Sequence, residues 1–192
     1  MLVFKKGSKI SKTSTIYPFS RFTNSEIDDY SYINFFAWVN NTKIGKYCSI
    51  AMNFKSGLGK HPTKLLSTSP LFYAKKKFAL KKPLDIELAS FEELQDIRIG
   101  NDVWIGANVL IMDGVTIGNG AIIGAHSLVV SNVPDYAIIG GVPGKVIKYR
   151  FSDEVIAELN KINWWNWEKE KIIRNQHIFS NEVTLASLKN IV

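Results

Sequence analysis

The sequence predicts an all-β fold in which short strands, joined by tight corners, stack into one continuous coil. A repeat of six residues covers residues 99–134, and its first position is always β-branched and apolar: Ile99, Ile105, Ile111, Ile117, Ile123 and Val129. Its fifth position is apolar in every repeat except the one with Ser127: Val103, Val109, Val115, Ala121 and Val133. Glycine occupies the second position in four of the six repeats.

A six-residue period differs from the period of an α-helix, about 3.6 residues, and from the alternation of a long strand. Short β-segments produce it when each segment sends one large and one small side chain inward before a corner. Stacking such segments buries a continuous apolar axis that no single repeat could bury alone. The alternative is a set of ordinary strands and hairpins that happen to be evenly spaced.

The same repeat occurs earlier in the chain, with slips of one residue that a corner could absorb. Three groups keep the spacing of six: Ile10, Ile16 and Phe22; Ile27, Ile33 and Val39; Ile44 and Ile50. We therefore expect the coil to start near residue 10, to pause after about residue 52 and to resume near residue 97. Cys48 occupies a fifth position, which predicts a small core residue rather than a nucleophile.

An insertion over about residues 53–96 interrupts the repeat. Insertions of this length in compact domains are usually functional or disordered. This one begins with GKHPTKLLSTSPLFY, which carries His61, one of only three histidines in the chain. Its many apolar side chains favour a structured arm over a simple spacer.

Helices are expected after the repeats end. Ser152 followed by Asp153 and Glu154 is typical of a helix start. Apolar residues at helical spacing follow: Val155, Ile156, Leu159 and Ile162. A second helix is expected over about residues 168–179. We thus divide the chain into a coil domain at residues 1–150 and a helical segment at residues 151–192 that packs on the coil.

Composition limits the setting and the partners. The chain has 192 residues, of which 46% are apolar, and its 24 basic and 17 acidic residues give a net charge of +7. This excess favours a phosphate-bearing small ligand, then peripheral association with an anionic membrane surface, and disfavours nucleic acid, because the lysine runs 75–77 and 81–82 resemble no recognition module. A single cysteine and the absence of an apolar leader indicate a reducing, cytoplasmic location.

Five stretches together resemble one family: IGKYCSIA, the GKHP…STSPLFY insertion, IGNDVWIGANVLIMDGVTIG, IIGGVPGKVIKYRF and the WWNW tail. They resemble, in order, the hexapeptide-repeat acyltransferases, and most of all their xenobiotic acetyltransferase branch, which includes polysaccharide O-acetyltransferases. This resemblance covers most of residues 27–170. It implies a left-handed parallel β-helix, a handedness that the repeat alone does not determine.

The resemblance implies an acetyl-CoA-dependent O-acetyltransferase without a metal. His61 would act as general base, because a neutral imidazole accepts a proton near neutral pH. The acceptor hydroxyl would then attack the thioester directly, with no covalent enzyme intermediate. The coenzyme would lie between neighbouring subunits of a homotrimer, against these residues: Trp104, Ala107, Gly124, Ala125, Lys145 and Lys148. The two lysines would meet its phosphates.

The acceptor is harder to predict. Four residues of one coil turn are candidates for binding it: Tyr30, Tyr32, Asn34 and Phe35. The sequence HPT…STSPLFY resembles that of sugar and polysaccharide O-acetyltransferases. This resemblance favours a sugar, nucleotide-sugar or glycan as the acceptor. Drug-modifying relatives tend to have Asn before the histidine and Asp after it, whereas here Lys60 and Pro62 flank His61. An antibiotic of the chloramphenicol or streptogramin type is the alternative acceptor.

Three other interpretations explain less of the sequence. A γ-class carbonic anhydrase would need three converging histidines, but the only ones are His61, His126 and His177. We interpret His126 as solvent-facing and His177 as structural. A non-catalytic β-helical scaffold would explain the repeat but neither His61 nor the GVPGK exit. The acyltransferase half of a sugar nucleotidyltransferase would require a preceding nucleotide-binding domain.

Overall fold

The computed structural model describes residues 3–74 and 86–191, so the lysine runs 75–77 and 81–82 lie outside the described residues. Within those ranges the strands, numbered in chain order, are β1 Val3–Lys6, β2 Lys9–Ile10, β3 Thr15–Ile16, β4 Ser20–Thr23, β5 Glu26–Ile27, β6 Tyr32–Ile33, β7 Trp38–Asn40, β8 Thr42–Ile44, β9 Ser49–Ile50, β10 Lys55–Ser56, β11 Ile97–Ile99, β12 Trp104–Ile105, β13 Leu110–Ile111, β14 Thr116–Ile117, β15 Ile122–Ile123, β16 Leu128–Val129, β17 Ala137–Gly140 and β18 Lys145–Tyr149.

The strands of residues 3–74 and 86–191 form three sheets that enclose one core. Sheet A has the order β1-β4-β7-β10-β13-β16, sheet B β14-β11-β8-β5-β2, and sheet C β18-β17-β15-β12-β9-β6-β3. Neighbouring strands are parallel, except for the antiparallel pair β17 and β18. The chain passes from A to B to C and back to A, so corners stack along three edges that we name AB, BC and CA.

The predicted coil and its core are confirmed. Isoleucines of sheet C pair in register from turn to turn: Ile16 with Ile33, Ile33 with Ile50, Ile50 with Ile105, and Ile105 with Ile123. All first-position and fifth-position residues of the repeat over 99–134 are buried, including Ser127. Cys48 is fully buried among them, as its fifth position predicts.

The coil starts earlier than the repeat indicates. Strand β1 pairs with β4 in register from Val3 to Lys6, although its sequence VFKK does not show the six-residue pattern. Its phenylalanine and lysines are exposed, so only Val3 packs against the core.

The slips in the early repeats lie at edge AB. Asn24 and Asn41 occupy its corners with φ angles of 48° and 47°, a left-handed conformation that asparagine tolerates better than most residues. These corners are one residue shorter than later ones, so Ile16 to Ile33 spans 17 residues whereas Ile105 to Ile123 spans 18. The core residues nevertheless stay in register.

The insertion replaces one corner of edge AB. The coil continues to Ser56 at the end of β10 and resumes at Ile97 at the start of β11. The registers on either side are unbroken, because β10 pairs with both β7 and β13, and β11 pairs with both β8 and β14. The chain therefore leaves the coil after Ser56 and re-enters it at Ile97 without disturbing the stacking of the turns.

The helices of the C-terminal segment lie along edge BC. They are α1 Asp153–Ile162, α2 Lys169–Arg174, α3 Gln176–Phe179 and α4 Leu185–Lys189, with a 3-10 turn at Trp164–Asn166. The ring of Trp164 lies 4.8 Å from that of Tyr47 on the coil, and Lys46 Nζ donates to Asn166 Oδ1 over 3.3 Å. A second apolar cluster joins Tyr136 to the helices.

The second predicted helix is divided in two. Asn175 separates α2 from α3, and its side-chain amide donates to the Lys171 carbonyl over 2.9 Å. A side chain that binds its own backbone in this way competes with helix continuation. No helix within residues 3–74 and 86–191 is long and apolar enough to cross a membrane.

Candidate active site

The insertion leaves the coil at Gly57, where any other residue would displace the backbone of the neighbouring turn. Gly57 has a φ of 66°, and a Cβ at this position would collide with the carbonyl oxygen of Asn40 on the neighbouring turn. The chain can therefore depart close to the coil only because this residue has no side chain.

Asp113 holds both ends of the insertion. This buried carboxylate lies at edge AB, one turn above the point of departure, and accepts hydrogen bonds from the backbone N–H of Gly59 over 3.0 Å and of Gln95 over 3.3 Å. The two ends of the insertion also bind each other, since Lys60 N–H donates to the Glu93 carbonyl over 2.8 Å. Residue 60 directly precedes His61, so Asp113 limits where the histidine can lie.

Two groups fix the imidazole of His61. Its Nδ1 lies 2.8 Å from the carbonyl oxygen of Thr68 and 2.8 Å from the hydroxyl of Tyr73. A carbonyl oxygen only accepts hydrogen bonds, so Nδ1 carries the hydrogen in this arrangement. Nε2 then holds the free lone pair, and the exposed side chain presents it outside the insertion.

Tyr73 is the buried support of this arrangement. Its ring packs edge-on against His61, with centroids 6.1 Å apart, and against Phe91, with centroids 5.1 Å apart. Burial raises the pKa of Tyr73, so its hydroxyl remains protonated at neutral pH. A 3-10 turn at Pro70–Phe72, capped by Ser69, delivers the tyrosine to this position.

Trp104 lies on the outer face of sheet C. It is 56% exposed, as expected for its sixth position in the repeat. The in-register residues on this face form a line: Tyr32, Ser49, Trp104, Ile122, Ile138 and Lys148. The structure thus brings the predicted residues Tyr32, Trp104 and Lys148 onto one face.

The small residues predicted to contact a coenzyme arm lie together at edge CA. Ala107, Gly124 and Ala125 occupy two stacked corners, joined by the His126 N–H bond to the Ala107 carbonyl over 2.9 Å. A Cβ on Gly106 would lie 2.6 Å from the backbone nitrogen of Ala125, so glycine permits this close stacking. The two corners therefore lie close together at Ala107, Gly124 and Ala125.

Lys145 and Lys148 lie on β18, the antiparallel strand that ends sheet C. Both side chains are exposed. Lys145 pairs with Gly140 and Lys148 with Ile138, so both ammonium groups lie at the C-terminal end of the sheet that carries Trp104.

The four candidate acceptor residues are spread over one turn. Asn34 and Phe35 lie at edge CA, and Phe35 packs on Tyr17 with ring centroids 5.1 Å apart. Tyr30 lies at edge BC instead, where it stacks on Tyr47 with centroids 5.0 Å apart. Tyr32 lies between them on sheet C. The structure therefore does not gather these four residues into one pocket.

His61 and Trp104 lie on opposite sides of the triangular coil. The insertion leaves at edge AB, which faces away from sheet C. Its described contacts are with edge AB, through Asp113, and with sheet A, where Leu58 and Leu94 line a groove with Trp38.

Cys48 is not equipped for chemistry. Burial raises the pKa of its thiol to about 12, and its sulfur donates to the Gly100 carbonyl over 3.1 Å. The thiolate needed for nucleophilic attack is therefore scarce at neutral pH.

Sequence reasoning missed Asp113, Tyr73 and Thr68 as supports of His61. An acidic residue within the apolar repeat IMDGVT is a usable signal, because a buried carboxylate requires donors. Thr68 acts through its backbone carbonyl, so no side-chain pattern could have identified it.

Comparisons with known proteins agree with this architecture. Residues 96–131 match the family described as "Bacterial transferase hexapeptide (six repeats)". The chain is 45% identical to the "Probable macrolide acetyltransferase" of Lysinibacillus sphaericus over 77% of this chain and 81% of that one. These matches confirm the left-handed parallel β-helix that the resemblance implied.

Two further proteins are similar to the chain. A chloramphenicol acetyltransferase of Morganella morganii is 45% identical over 70% of this chain, and the match spans 63% of that relative's length. A galactoside acetyltransferase, solved in complex with coenzyme A, is 28% identical with a TM-score of 0.51, covering 79% of this chain and 71% of that one.

Proposed function

We propose, from the premise that this chain belongs to the hexapeptide-repeat acetyltransferases, that it transfers an acetyl group from acetyl-CoA to a hydroxyl of a small antibiotic. The observation that carries the proposal is the 2.8 Å contact between His61 Nδ1 and the Thr68 carbonyl oxygen, which favours a hydrogen on Nδ1 because a carbonyl only accepts. A histidine held in this way has one free lone pair, which is what proton abstraction from a hydroxyl requires.

His61 acts as the general base in this proposal. Nε2 takes the proton of the acceptor hydroxyl while that oxygen forms a bond to the acetyl carbonyl carbon. As the carbon–sulfur bond breaks, the imidazolium returns the proton to the departing sulfur, so the products are an acetyl ester and the free thiol. Acetyl-CoA supplies the acetyl group as a thioester, and the enzyme forms no covalent bond.

The residues present fit a coenzyme A molecule along sheet C and edge CA. Ala107, Gly124 and Ala125 have small side chains or none, which leaves room for a pantetheine arm, and Trp104 offers an exposed ring beside them. Lys145 and Lys148 supply positive charge for the phosphates, which accounts for part of the net charge of +7.

The site is completed between subunits of a homotrimer. His61 extends from edge AB of one subunit, and the coenzyme wall on sheet C belongs to the next. The separation of these two groups in a single chain supports this assignment, because closed rings of three identical subunits repeat one such contact around an axis.

The proposed acceptor, an antibiotic, differs from the sugar that the sequence of the insertion favours. Relatives named for macrolide and chloramphenicol acetylation share 45% identity with this chain, whereas the galactoside acetyltransferase shares 28%. An antibiotic hydroxyl is therefore the better-supported acceptor, despite Lys60 and Pro62 around His61. Tyr32, Asn34 and Phe35 would line its binding surface, with Tyr30 stabilising the turn from edge BC.

A thiol-release assay tests both parts of the function. The purified protein is incubated with acetyl-CoA and, separately, chloramphenicol, a macrolide, virginiamycin A and a galactoside, and free coenzyme A is measured. We expect release with an antibiotic, and a loss of turnover of about 10²–10⁴-fold in His61→Ala, with thermal stability unchanged because His61 is exposed.

Two controls separate the outcomes. His177→Ala, an exposed histidine of α3, should retain full turnover. Activity retained by His61→Ala would refute the mechanism, and turnover confined to the galactoside would refute the antibiotic acceptor while leaving the acetyl transfer intact.

A further inference from the structure

A groove of about 520 Å³ lies on the outer face of sheet A, near the start of the coil. Aromatic rings and two cations make up most of its lining: Phe4, Phe19, Phe36, Trp38, Arg21 and Lys55. No acidic side chain of the described residues lines it. The lining also contains none of the residues assigned above to His61, the coenzyme wall or the acceptor surface, so the groove differs from the proposed active site.

The guanidinium of Arg21 is held between two aromatic rings of this groove. It lies 5.1 Å from the ring centroid of Phe4 and 5.0 Å from that of Trp38, because the three residues are in register on β1, β4 and β7. Within residues 3–74 and 86–191, the guanidinium has neither a carboxylate partner nor a hydrogen-bond acceptor. Its planar fork of N–H donors is therefore positioned by stacking and available to a ligand.

Lys55 adds a second cation to the same face. It follows Trp38 in register on β10, and its side chain is exposed. The ion pairs of the described residues involve other lysines and arginines. Two cations without a neighbouring acid give the groove a positive potential, which attracts an anion.

Two exposed phenylalanines form the wall of the groove at edge CA. Phe19 and Phe36 occupy successive corners with φ angles of 62°, and their rings stack with centroids 5.4 Å apart. The equivalent corners of higher turns carry Asn53 and Asn108, and asparagine adopts this left-handed conformation more readily than a bulky residue does. Both phenylalanines are more than half exposed, so the core gains little from them. Their rings are instead available to an aromatic ligand.

We propose that this groove is a second small-molecule site, which binds an aromatic carboxylate. The carboxylate accepts two parallel hydrogen bonds from the Arg21 fork, and Lys55 contributes further attraction. The ring of the ligand packs against the exposed aromatic side chains, where ring pairs prefer offset-stacked or edge-on contacts. A neutral aromatic compound would leave both cations without an anion, and an aliphatic carboxylate would gain no ring contact.

Calorimetry of the full chain with three related compounds tests the proposal. The probe is 2-naphthoate, 2-naphthamide is its neutral counterpart, and decalin-2-carboxylate has the same charge without a planar ring. Titrations are made with coenzyme A in excess, so that the proposed coenzyme wall is not the place measured. We expect one 2-naphthoate per chain, with each of the other two compounds binding about tenfold or more weakly.

Substitutions at Arg21 locate the site. Arg21→Gln should weaken 2-naphthoate about tenfold and remove its advantage over 2-naphthamide. Arg21→Lys keeps the charge but loses the fork, so it should weaken 2-naphthoate about threefold. Arg98→Gln, an exposed arginine of β11 on sheet B, is the matched control and should bind like the wild type.

The binding assay does not depend on acetyl transfer, so a failure of the proposed function would leave its result standing. Absence of 2-naphthoate binding, displacement by coenzyme A, or equal affinity for the amide would each overturn the proposal. Unchanged affinity in Arg21→Gln would also overturn it, as would equal binding of decalin-2-carboxylate. If Arg21→Gln does not fold, the comparison of Arg21→Lys with Arg98→Gln decides the role of the fork.

Discussion

The Nδ1 atom of His61 lies 2.8 Å from the hydroxyl of Tyr73, twelve residues further along the chain. The histidine is exposed and the tyrosine is buried, so a buried residue of the insertion supports a side chain at its surface. The pairing answers what orients the proposed base, which the linear sequence does not disclose.

Tyr73→Phe should lower kcat about threefold to tenfold with little change in KM, because one of two hydrogen-bond partners of Nδ1 is lost. Nitrogen NMR of the histidine rings should show His61 as the Nδ1–H tautomer in the wild type and as a mixture in the variant. Tyr149→Phe, an exposed tyrosine of β18 that contacts neither His61 nor the proposed acceptor residues, is the control. An unchanged tautomer in Tyr73→Phe would show that the Thr68 carbonyl is sufficient.

Asp113→Asn should loosen the insertion without unfolding the coil. The substitution replaces one accepting oxygen with an NH2 group, so the side chain can accept from Gly59 or from Gln95 but not from both; each bond to the carboxylate is worth about 1.5–3 kcal/mol. Limited proteolysis within residues 57–96 should accelerate by about tenfold or more. Asp153→Asn, exposed in the first turn of α1, should leave the cleavage rate unchanged. Equal protection in the two variants would contradict the clamp.

Lys145→Ala and Lys148→Ala should each raise the KM for acetyl-CoA by roughly twofold to tenfold and make it less dependent on salt. With acetyl-pantetheine, which has no nucleotide phosphates, the variants and the wild type should have equal KM values. Lys169→Ala on α2 is the matched surface control. A salt-independent KM in the wild type would show that these lysines do not bind the phosphates of the coenzyme.

Mixed trimers should recover activity that neither parent has. His61→Ala lacks the base, and Ala125→Trp blocks the proposed coenzyme arm at edge CA with a bulky ring. Random co-assembly gives intact sites at about a quarter of the interfaces, so co-expressed chains should regain about a quarter of wild-type turnover. Light scattering should report three chains per particle. A monomer, or no recovery in trimers of proven mixed composition, would refute the shared site.

Cys48 should resist thiol reagents until the protein unfolds. Its pKa is raised to about 12 by burial, so the native thiol is protonated at pH 8, and Ellman's reagent should detect one thiol per chain only in denaturant. Since the folded state holds this proton more tightly, the contribution to stability is complete below pH 9 and is lost as the pH rises toward 12. Cys48→Ala should lack that alkaline dependence. Rapid labelling of the native protein would contradict the burial of the sulfur.

The sequence predicts the coil well because its core depends on local spacing. Ile105 and Ile123 fall at the same position of successive turns, so a count along the chain predicts their contact. The six-residue spacing does not identify strand β1, because its lysines and phenylalanine are exposed to solvent. The break at Asn175 depends on a side chain that binds the preceding turn, which competes with a helical pattern that would otherwise continue.

The candidate site is less predictable, since its parts meet through distant contacts. Asp113 and Gly59 are far apart in sequence and become neighbours only through stacking of turns. Resemblance identified His61 and Trp104, but not that they occupy opposite sides of the coil. The antibiotic acceptor likewise came from similarity to relatives, because residues 59–73 favoured a sugar.

The point where the insertion leaves edge AB has an evolutionary consequence. Ser56 and Ile97 stay in register with the turns above and below, so the coil tolerates any arm whose two ends reach Gly57 and Gln95. Arms of other lengths and sequences could be exchanged at this junction while the proposed coenzyme wall on sheet C remains intact. Substrate choice and cofactor use could therefore diverge independently within one lineage.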